Sequence, residues 1–242
     1  MMENKQLIIS ANRLSFSFSQ ETVLKNINIS VERGSIYGFL GSNGAGKTTT
    51  IRLLLGLLEA NGEPPLLFGE TMRQNRVKIL SRIGSLIEQP SLYEHLTGFQ
   101  NLMITARYRQ LDKERVYRVL DLVKLSDQAK KKVKAYSLGM KQRLGLALAL
   151  IGEPDLLILD EPVNGLDPIG IMETRELLLR LNQELGITIF LSSHLLNEIE
   201  KMVSHVGIIN NGSMVFQGTI ADFKLLSGVN DFEETFVDLT RN

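Results

Sequence analysis

The segment Gly41-Ser42-Asn43-Gly44-Ala45-Gly46-Lys47-Thr48 constrains this chain more than any other. Its G-x-x-x-x-G-K-[ST] spacing is that of a P-loop, a turn whose consecutive main-chain N–H groups curl around an anion. The flanks supply the context that the motif needs. Ser35 to Leu40 is a short apolar run that reads as a strand leading in. Thr49 to Leu58 carries Ile51, Leu54, Leu55 and Leu58 at helical spacing, so a helix leads out. The partial positive charge of a helix N-terminus favours phosphate at such a turn. The candidate phosphate-binding residues are therefore Gly41, Ser42, Asn43, Gly44, Ala45, Gly46, Lys47, Thr48 and Thr49. Lys47 would reach the β- and γ-phosphates of a nucleotide, and the Thr48 hydroxyl would hold Mg²⁺. The bland alternative, a glycine-rich turn with a surface lysine, gives no reason for the strand and helix on either side.

The rest of the chain permits such a core. Its 242 residues suit one large domain or a core with a subdomain. Formal net charge is zero, so no overall basic field recruits nucleic acid. The absence of Cys excludes a disulfide framework and a thiolate metal site. The three histidines, His95, His194 and His205, are scattered, which argues against a zinc cluster. The longest apolar run, Leu144 to Ile151, is too short to span a bilayer and stops at Gly152-Glu153-Pro154. Glu3, Asn4 and Lys5 precede only a brief apolar patch, without the layout of a signal peptide. A membrane role is thus expected to come through a partner chain.

Along the chain, residues 7 to 40 read as short strands, with alternation at Leu14-Ser15-Phe16-Ser17-Phe18 and Ile27-Asn28-Ile29-Ser30-Val31. Residues 61 to 87 hold turn signals at Asn61-Gly62 and Pro64-Pro65, then strand-like pieces. From about Pro90 to Ile151 the pattern is helical. Leu102, Ala106 and Tyr108 fall in one segment, and Val116, Val119, Leu120, Val123 and Leu125 mark another. Leu156 to Leu159 is a continuous apolar run ending in Asp160, as in a parallel sheet covered on both faces. Ile171 to Leu185 reads as a helix and Ile187 to Leu191 as a second buried strand. Leu195 to Val203 reads as a helix capped by Ser192 or Ser193. Val206 to Ile209 is a strand, and Asn211-Gly212 is a hairpin turn before Met214-Val215-Phe216. Strands alternating with helices imply a parallel α/β sheet with phosphate at the strand carboxyl ends.

Asp160 and Glu161 come next in importance. A carboxylate ending a buried strand beside a P-loop is placed to hold Mg²⁺, directly or through water. Glu161 would face the open end of the site and orient or deprotonate the attacking water. In isolation the pair reads equally as a solvated strand end. Tyr136-Ser137-Leu138-Gly139-Met140-Lys141-Gln142-Arg143-Leu144 follows the helical stretch. Ser137 and the Gly139 amide open a helix running through Leu150, and a hydroxyl at a helix N-terminus is an anion-binding surface. On its own this segment is also an ordinary helix with Ser137 as N-cap.

That segment resembles the signature motif of ABC ATPases, and the resemblance covers nearly the whole chain. Gly41 to Thr48 resembles the Walker A motif of that family, and Leu156 to Asp160 its Walker B. Glu161 matches the catalytic glutamate, Asn164-Gly165-Leu166-Asp167 resembles the D-loop, and His194 matches the switch histidine that senses the γ-phosphate. Phe18 stands where the family puts an adenine-stacking ring, with Phe16 one pleat away on the same face. Such stacking contributes on the order of 1–3 kcal/mol. The resemblance implies an α/β P-loop NTPase (RecA-like) core with a parallel sheet, an N-terminal antiparallel β subdomain and a helical subdomain carrying the signature. Residues 1–89 and 152–242 would form the core with its β subdomain, 90–151 the helical subdomain, and 220–242 a short tail.

Two departures from the family pattern matter. Glu88, in Ile83-Gly84-Ser85-Leu86-Ile87-Glu88-Gln89-Pro90, stands where most of the family has the Q-loop glutamine. A carboxylate there can also ligate Mg²⁺. Using the neighbouring Gln89 would shift the register by one. In the signature, Leu138 replaces Gly and Met140 replaces Gln. Both departures resemble the bacitracin and lantibiotic exporter branch, as does the closing segment Asp231 to Leu239. The resemblance implies an ATP-hydrolysing subunit, peripheral on the cytoplasmic face of the membrane, driving a separate membrane subunit. It implies a head-to-tail homodimer in which Lys47, Thr48, Asp160, Glu161 and His194 of one chain meet Ser137 and Gly139 of the other around ATP, with Asp167 of the D-loop also among the ATP-binding residues. The apolar surface near Leu92, Tyr93 and Leu96 is either a dock for the membrane subunit or packing under the helical subdomain. Lys130-Lys131-Lys132 with Lys134 reads as a solvated run. Two other classes fit less well. A soluble ABC-type switch in translation or DNA repair usually has two cassettes or a coiled-coil insertion, and a small P-loop kinase leaves the signature and D-loop without a role.

Overall fold

The computed structural model describes residues 6–226 and 232–241, so Glu3, Asn4, Lys5 and Asp231 lie outside the described residues. Strands β1 (Leu7–Phe18) and β2 (Glu21–Glu32) form a long antiparallel hairpin. These are not the short strands that the pattern suggests. Register shifts fall between Ala11 and Leu14 and again near Phe16, and Arg13 and Asn26 take positive φ. Each irregularity flips the inward-facing parity, so only fragments of a long strand alternate in sequence. β3 (Ile36–Leu40) follows, buried at every residue, and α1 (Lys47–Leu54) rises from the P-loop. α1 stops before Leu58 because Gly56 takes φ 64, the left-handed conformation that ends helices.

Residues 61 to 87 contain less strand than their sequence suggests. β4 (Leu66–Leu67) and β5 (Glu70–Thr71) are two residues each, and α2 (Met72–Ser81) is a helix. Within α2 only Ile79 is buried and Asn75 breaks the helical geometry, so no apolar stripe announces it. β6 (Ile83–Leu86) leads to the helical layer: α3 (Gly98–Tyr108), α4 (Lys113–Leu122) and α5 (Leu138–Leu150). Local chemistry starts each helix. Thr97 and Gln100 form a reciprocal capping box, Asp112 accepts from the Arg115 N–H, and Ser137 accepts from the Met140 N–H. Leu125 lies beyond α4 yet stays in the core, whereas Tyr108 ends α3 facing solvent. Asn101, almost fully buried, bonds the Tyr93 main chain through both its oxygen and its nitrogen. The apolar run from Leu144 is the buried side of α5, and no helix among the described residues is long and apolar enough to cross a membrane.

β7 (Leu156–Asp160), α6 (Pro168–Leu185), β8 (Thr188–Ser193), α7 (Leu196–Glu200), β9 (His205–Asn210) and β10 (Ser213–Thr219) complete the core, followed by α8 (Ile220–Leu226) and α9 (Phe232–Thr240). One sheet has the order β2-β1-β4-β5, antiparallel. The other has the order β10-β9-β3-β8-β7-β6, parallel except for β10. Asn211 and Gly212 have φ of 47 and 76, as a two-residue hairpin turn requires. Gln217 binds the two sheets, its oxygen accepting from the Ser30 N–H at 2.9 Å and the Tyr37 hydroxyl at 2.8 Å. The sequence assigns the cap of α7 to a serine, but its N-cap is Leu195, with no side-chain cap bond. Ser193 instead accepts from the Leu195 N–H at 2.9 Å.

Close approach of α5 to the sheet depends on Gly84. A Cβ there would run into the Ala149 carbonyl oxygen and sit 2.8 Å from Leu157 Cδ2. Gly84→Ala should therefore destabilise the fold by about 1–3 kcal/mol, as overpacking does. An unchanged thermal midpoint would contradict this packing. At the amino ends of the strands, Asp155 accepts from Arg82 Nε at 2.7 Å and pairs with Arg33 Nη1 at 3.3 Å. The Arg82 hydrogen bond, helped by the charges of both arginines, holds its carboxyl below the ordinary value. A carboxyl depressed by folding stabilises above its unfolded pKa of about 4, and the gain is lost as pH falls through the folded value. Because all three side chains reach solvent, Asp155→Asn should cost no more than about 1 kcal/mol at neutral pH. Denaturant titrations of both proteins should converge as the solution is acidified; a constant gap would refute the assignment.

Candidate nucleotide site

β3 delivers the chain to the P-loop at a point where only glycine fits. A Cβ on Gly41 would lie 2.5 Å from the Ile209 carbonyl oxygen, and one on Gly46 would lie 2.6 Å from Leu24 Cδ2. Gly46 also takes φ 109 as the N-cap of α1. The turn bends Lys47 back over itself. Its Nζ donates to the Gly41 carbonyl at 2.8 Å and the Ser42 carbonyl at 3.2 Å, and lies 3.2 Å from Glu161 Oε1. Asn43, Gly44, Gly46, Lys47, Thr48, Thr49, Val23 and Glu161 line a depression of about 210 Å³. Ala45 is buried beneath it, its carbonyl accepting from the Gly212 N–H at 3.1 Å.

The carboxylates arrive on β7. Asp160 is only 3% exposed, and both its oxygens accept. Thr48 Oγ1 donates to Oδ2 at 2.8 Å and Ser192 Oγ to Oδ1 at 2.5 Å. Glu161 takes φ 49 and turns its side chain toward the P-loop. Its Oε2 lies 2.9 Å from His194 Nδ1. A carboxylate accepts there, so Nδ1 carries the hydrogen. Lys47, Thr48, Asp160, Glu161 and His194 thus form one connected cluster. Ser192 belongs to it as well. Sequence reasoning missed this role because the signal is the pairing of Ser192 opposite Asp160 between parallel strands, a long-range register.

Other expected residues lie elsewhere. Phe18 is 48% exposed while Phe16 is 8% exposed, and the rings meet edge to face at 4.7 Å. Phe16 is therefore core, and Phe18 is the exposed ring of the pair. The Glu88 carboxylate meets Arg52 Nη2 at 2.6 Å, and the oxygens of Asp160 accept from Thr48 and Ser192. Ser137, Gly139 and Asp167 line a separate groove of about 350 Å³ together with Leu138, Leu166 and Arg143. Among the described residues, none lines both this groove and the P-loop depression. Ser137 and Asp167 both act as N-caps, of α5 and α6. Leu138, 45% exposed, lies over Gly165, where an added Cβ would meet its Cδ2 at 3.3 Å. Buried Gln142, one turn along α5, donates Nε2 to the Pro162 carbonyl at 3.0 Å and ties the signature helix to the loop after Glu161. Leu92 packs on the core and Tyr93 is 54% exposed, so that surface divides between packing and solvent. The lysines at 130, 131, 132 and 134 are exposed.

The profile of the ABC transporter family matches residues 24–164, more than half the chain. The bacitracin transport ATP-binding protein BcrA of Bacillus licheniformis is 50% identical over 209 residues, spanning 86% of this chain and 68% of the relative. The lantibiotic transport ATP-binding protein SrtF of Streptococcus pyogenes is 38% identical over 229 residues, spanning 95% of this chain and 96% of the relative. A solved ATP-binding subunit of an ABC transporter superposes with a TM-score of 0.85 at 29% identity, covering 96% of this chain and 99% of the other. A strand-borne P-loop facing two buried-end carboxylates, within a chain matched over its length by such relatives, belongs to the ABC transporter family, as an ATP-binding subunit that hydrolyses ATP to drive transport.

Proposed function

We propose that the chain energises an exporter of antimicrobial peptides, working as a dimer that clasps ATP between the P-loop of one copy and the signature of the other. The observation that carries the dimer is the separation of the two grooves. Among the described residues, the cluster around Lys47 and the groove of Ser137, Gly139 and Asp167 share no lining residue, which supports a triphosphate enclosed only when a second copy brings its groove over the P-loop. The substrate class is supported by what the bacitracin and lantibiotic relatives transport. The membrane subunit would dock beside Tyr93 and Leu96 and hold the chain at the cytoplasmic face.

Each residue has a task set by its chemistry. Main-chain N–H groups of 41–46 and the start of α1 would hold the phosphates, with Thr49 at the rim, and Phe18 would stack on the base. Lys47 would exchange Glu161 for the β- and γ-phosphates. Thr48 and Asp160 present oxygens within 2.8 Å of each other, a donor set that suits Mg²⁺, which takes one or two protein oxygens plus phosphate and water. Glu88 would join them after leaving Arg52. These oxygens would hold Mg²⁺, whose chemistry there would be to neutralise phosphate charge. Glu161, released from Lys47, would take a proton from the attacking water, with His194 fixing its orientation from the other oxygen. Ser137 and the Gly139 N–H of the second copy would complete the cage around the γ-phosphate.

Two experiments test this. Glu161→Gln should retain ATP binding and lose hydrolysis by about 100-fold or more, the range of a general base. Wild-type turnover in that variant would remove Glu161 from its role. Introduced into the host, the same variant should lower tolerance of bacitracin or of a lantibiotic; unchanged tolerance of both would remove the substrate class while leaving the ATPase intact. The second experiment mixes two inactive chains, Ser137→Arg and Lys47→Ala. Their heterodimer contains one undamaged composite site, so phosphate release should recover. A mixture as silent as its components would end the two-chain site.

A further inference from the structure

Ser192 has a buried hydroxyl with two partners that both matter. It is fully buried at the end of β8, with Phe39 of β3 opposite on one side and Asp160 of β7 on the other. A serine hydroxyl offers one donor and two acceptor lone pairs. Here the donor goes to Asp160 Oδ1 at 2.5 Å, and a lone pair receives the Glu161 N–H at 3.0 Å. Ladders on both sides fix the main chain of Ser192, so the hydroxyl works from an immobile base. Glu161 needs such a hold, because a non-glycine residue at φ 49 persists only where its surroundings enforce it.

The two oxygens of Asp160 are met from opposite directions. Thr48 reaches Oδ2 from the P-loop side, and Ser192 reaches Oδ1 from within the sheet. A ligand entering along the P-loop would compete for the Thr48 contact and leave the Ser192 contact in place. We propose that Ser192 is a positioning residue for hydrolysis, its one hydroxyl setting the metal-holding carboxylate of Asp160 and the main chain of Glu161 in a fixed relation. This rests on the reading of Asp160 as the residue that holds Mg²⁺. Alanine at 192 leaves Oδ1 without its donor and the Glu161 N–H without its acceptor, in a space that the sheet seals from solvent.

The test compares Ser192→Ala and Ser192→Thr with the wild-type chain. Ser192→Ala should lower kcat by about 10- to 100-fold, the usual effect of losing a partner that orients a metal ligand, and raise the Mg²⁺ concentration needed for half-maximal turnover. Binding of a fluorescent ATP analogue in EDTA should be unchanged, because the P-loop is intact. Ser192→Thr keeps the hydroxyl and should restore the Mg²⁺ dependence. An alanine variant with wild-type kcat and Mg²⁺ dependence overturns the proposal. So does an alanine variant that loses analogue binding in EDTA together with turnover, since that marks a general structural role. Wild-type turnover persisting in EDTA would overturn the reading of Asp160 itself, and it is measured apart from the serine variants.

Discussion

A carboxylate that is 3% exposed has to be met by donors on both oxygens, and at Asp160 that demand organises the centre of the molecule. One donor, Thr48, lies 112 residues away in sequence. The other, Ser192, comes from β8. The sheet order β3-β8-β7 is what lets both arrive. β3 ends at the P-loop, β7 ends at the acid, and β8 runs between them, so its final residues sit at the middle of the site. His194, just past the end of β8, falls within reach of Glu161 for the same reason. The reacting cluster is a consequence of three parallel strands terminating side by side, the arrangement that places ligands at strand carboxyl ends in open α/β sheets.

The helical layer is joined to this centre by few but buried contacts. Gln142 reaches the Pro162 carbonyl, next to Glu161, while Ser137 on the same helix faces a separate groove. At the far end of α5, Arg115 donates to the carbonyls of Leu150 and Ile151, joining the Glu153 N–H that also reaches the Leu150 carbonyl at 3.0 Å. α5 is thus held at its C-terminus by α4 and near its N-terminus by the loop after Glu161.

Features carried by consecutive residues were legible in the sequence. The P-loop glycines, the apolar runs of β7 and β8, the N-cap of Ser137 and the Asn211-Gly212 turn each have a local cause that needs no knowledge of the sheet. The length of β1 and β2 was hidden because bulges reset their alternation. α2 was hidden because it buries only Ile79. Phe16 and Phe18 share a face in the pattern, and only burial separates them. The pairing of Glu88 with Arg52 and of Ser192 with Asp160 depends on which elements become neighbours, which no local pattern encodes. The serines before His194 were read as helix caps because that is the commonest use of serine at a strand-to-helix passage.

The turn at Gly212 has a mechanical consequence. Its N–H reaches the Ala45 carbonyl under the P-loop, and its carbonyl accepts from the Lys25 N–H at 2.7 Å on the adjoining hairpin. A side chain at 212 would collide with the Val23 carbonyl, so the three segments interlock around a hydrogen atom. The wall bearing Val23 and the floor of the P-loop are therefore tied through one residue, and any substitution at 212 has to push the two apart.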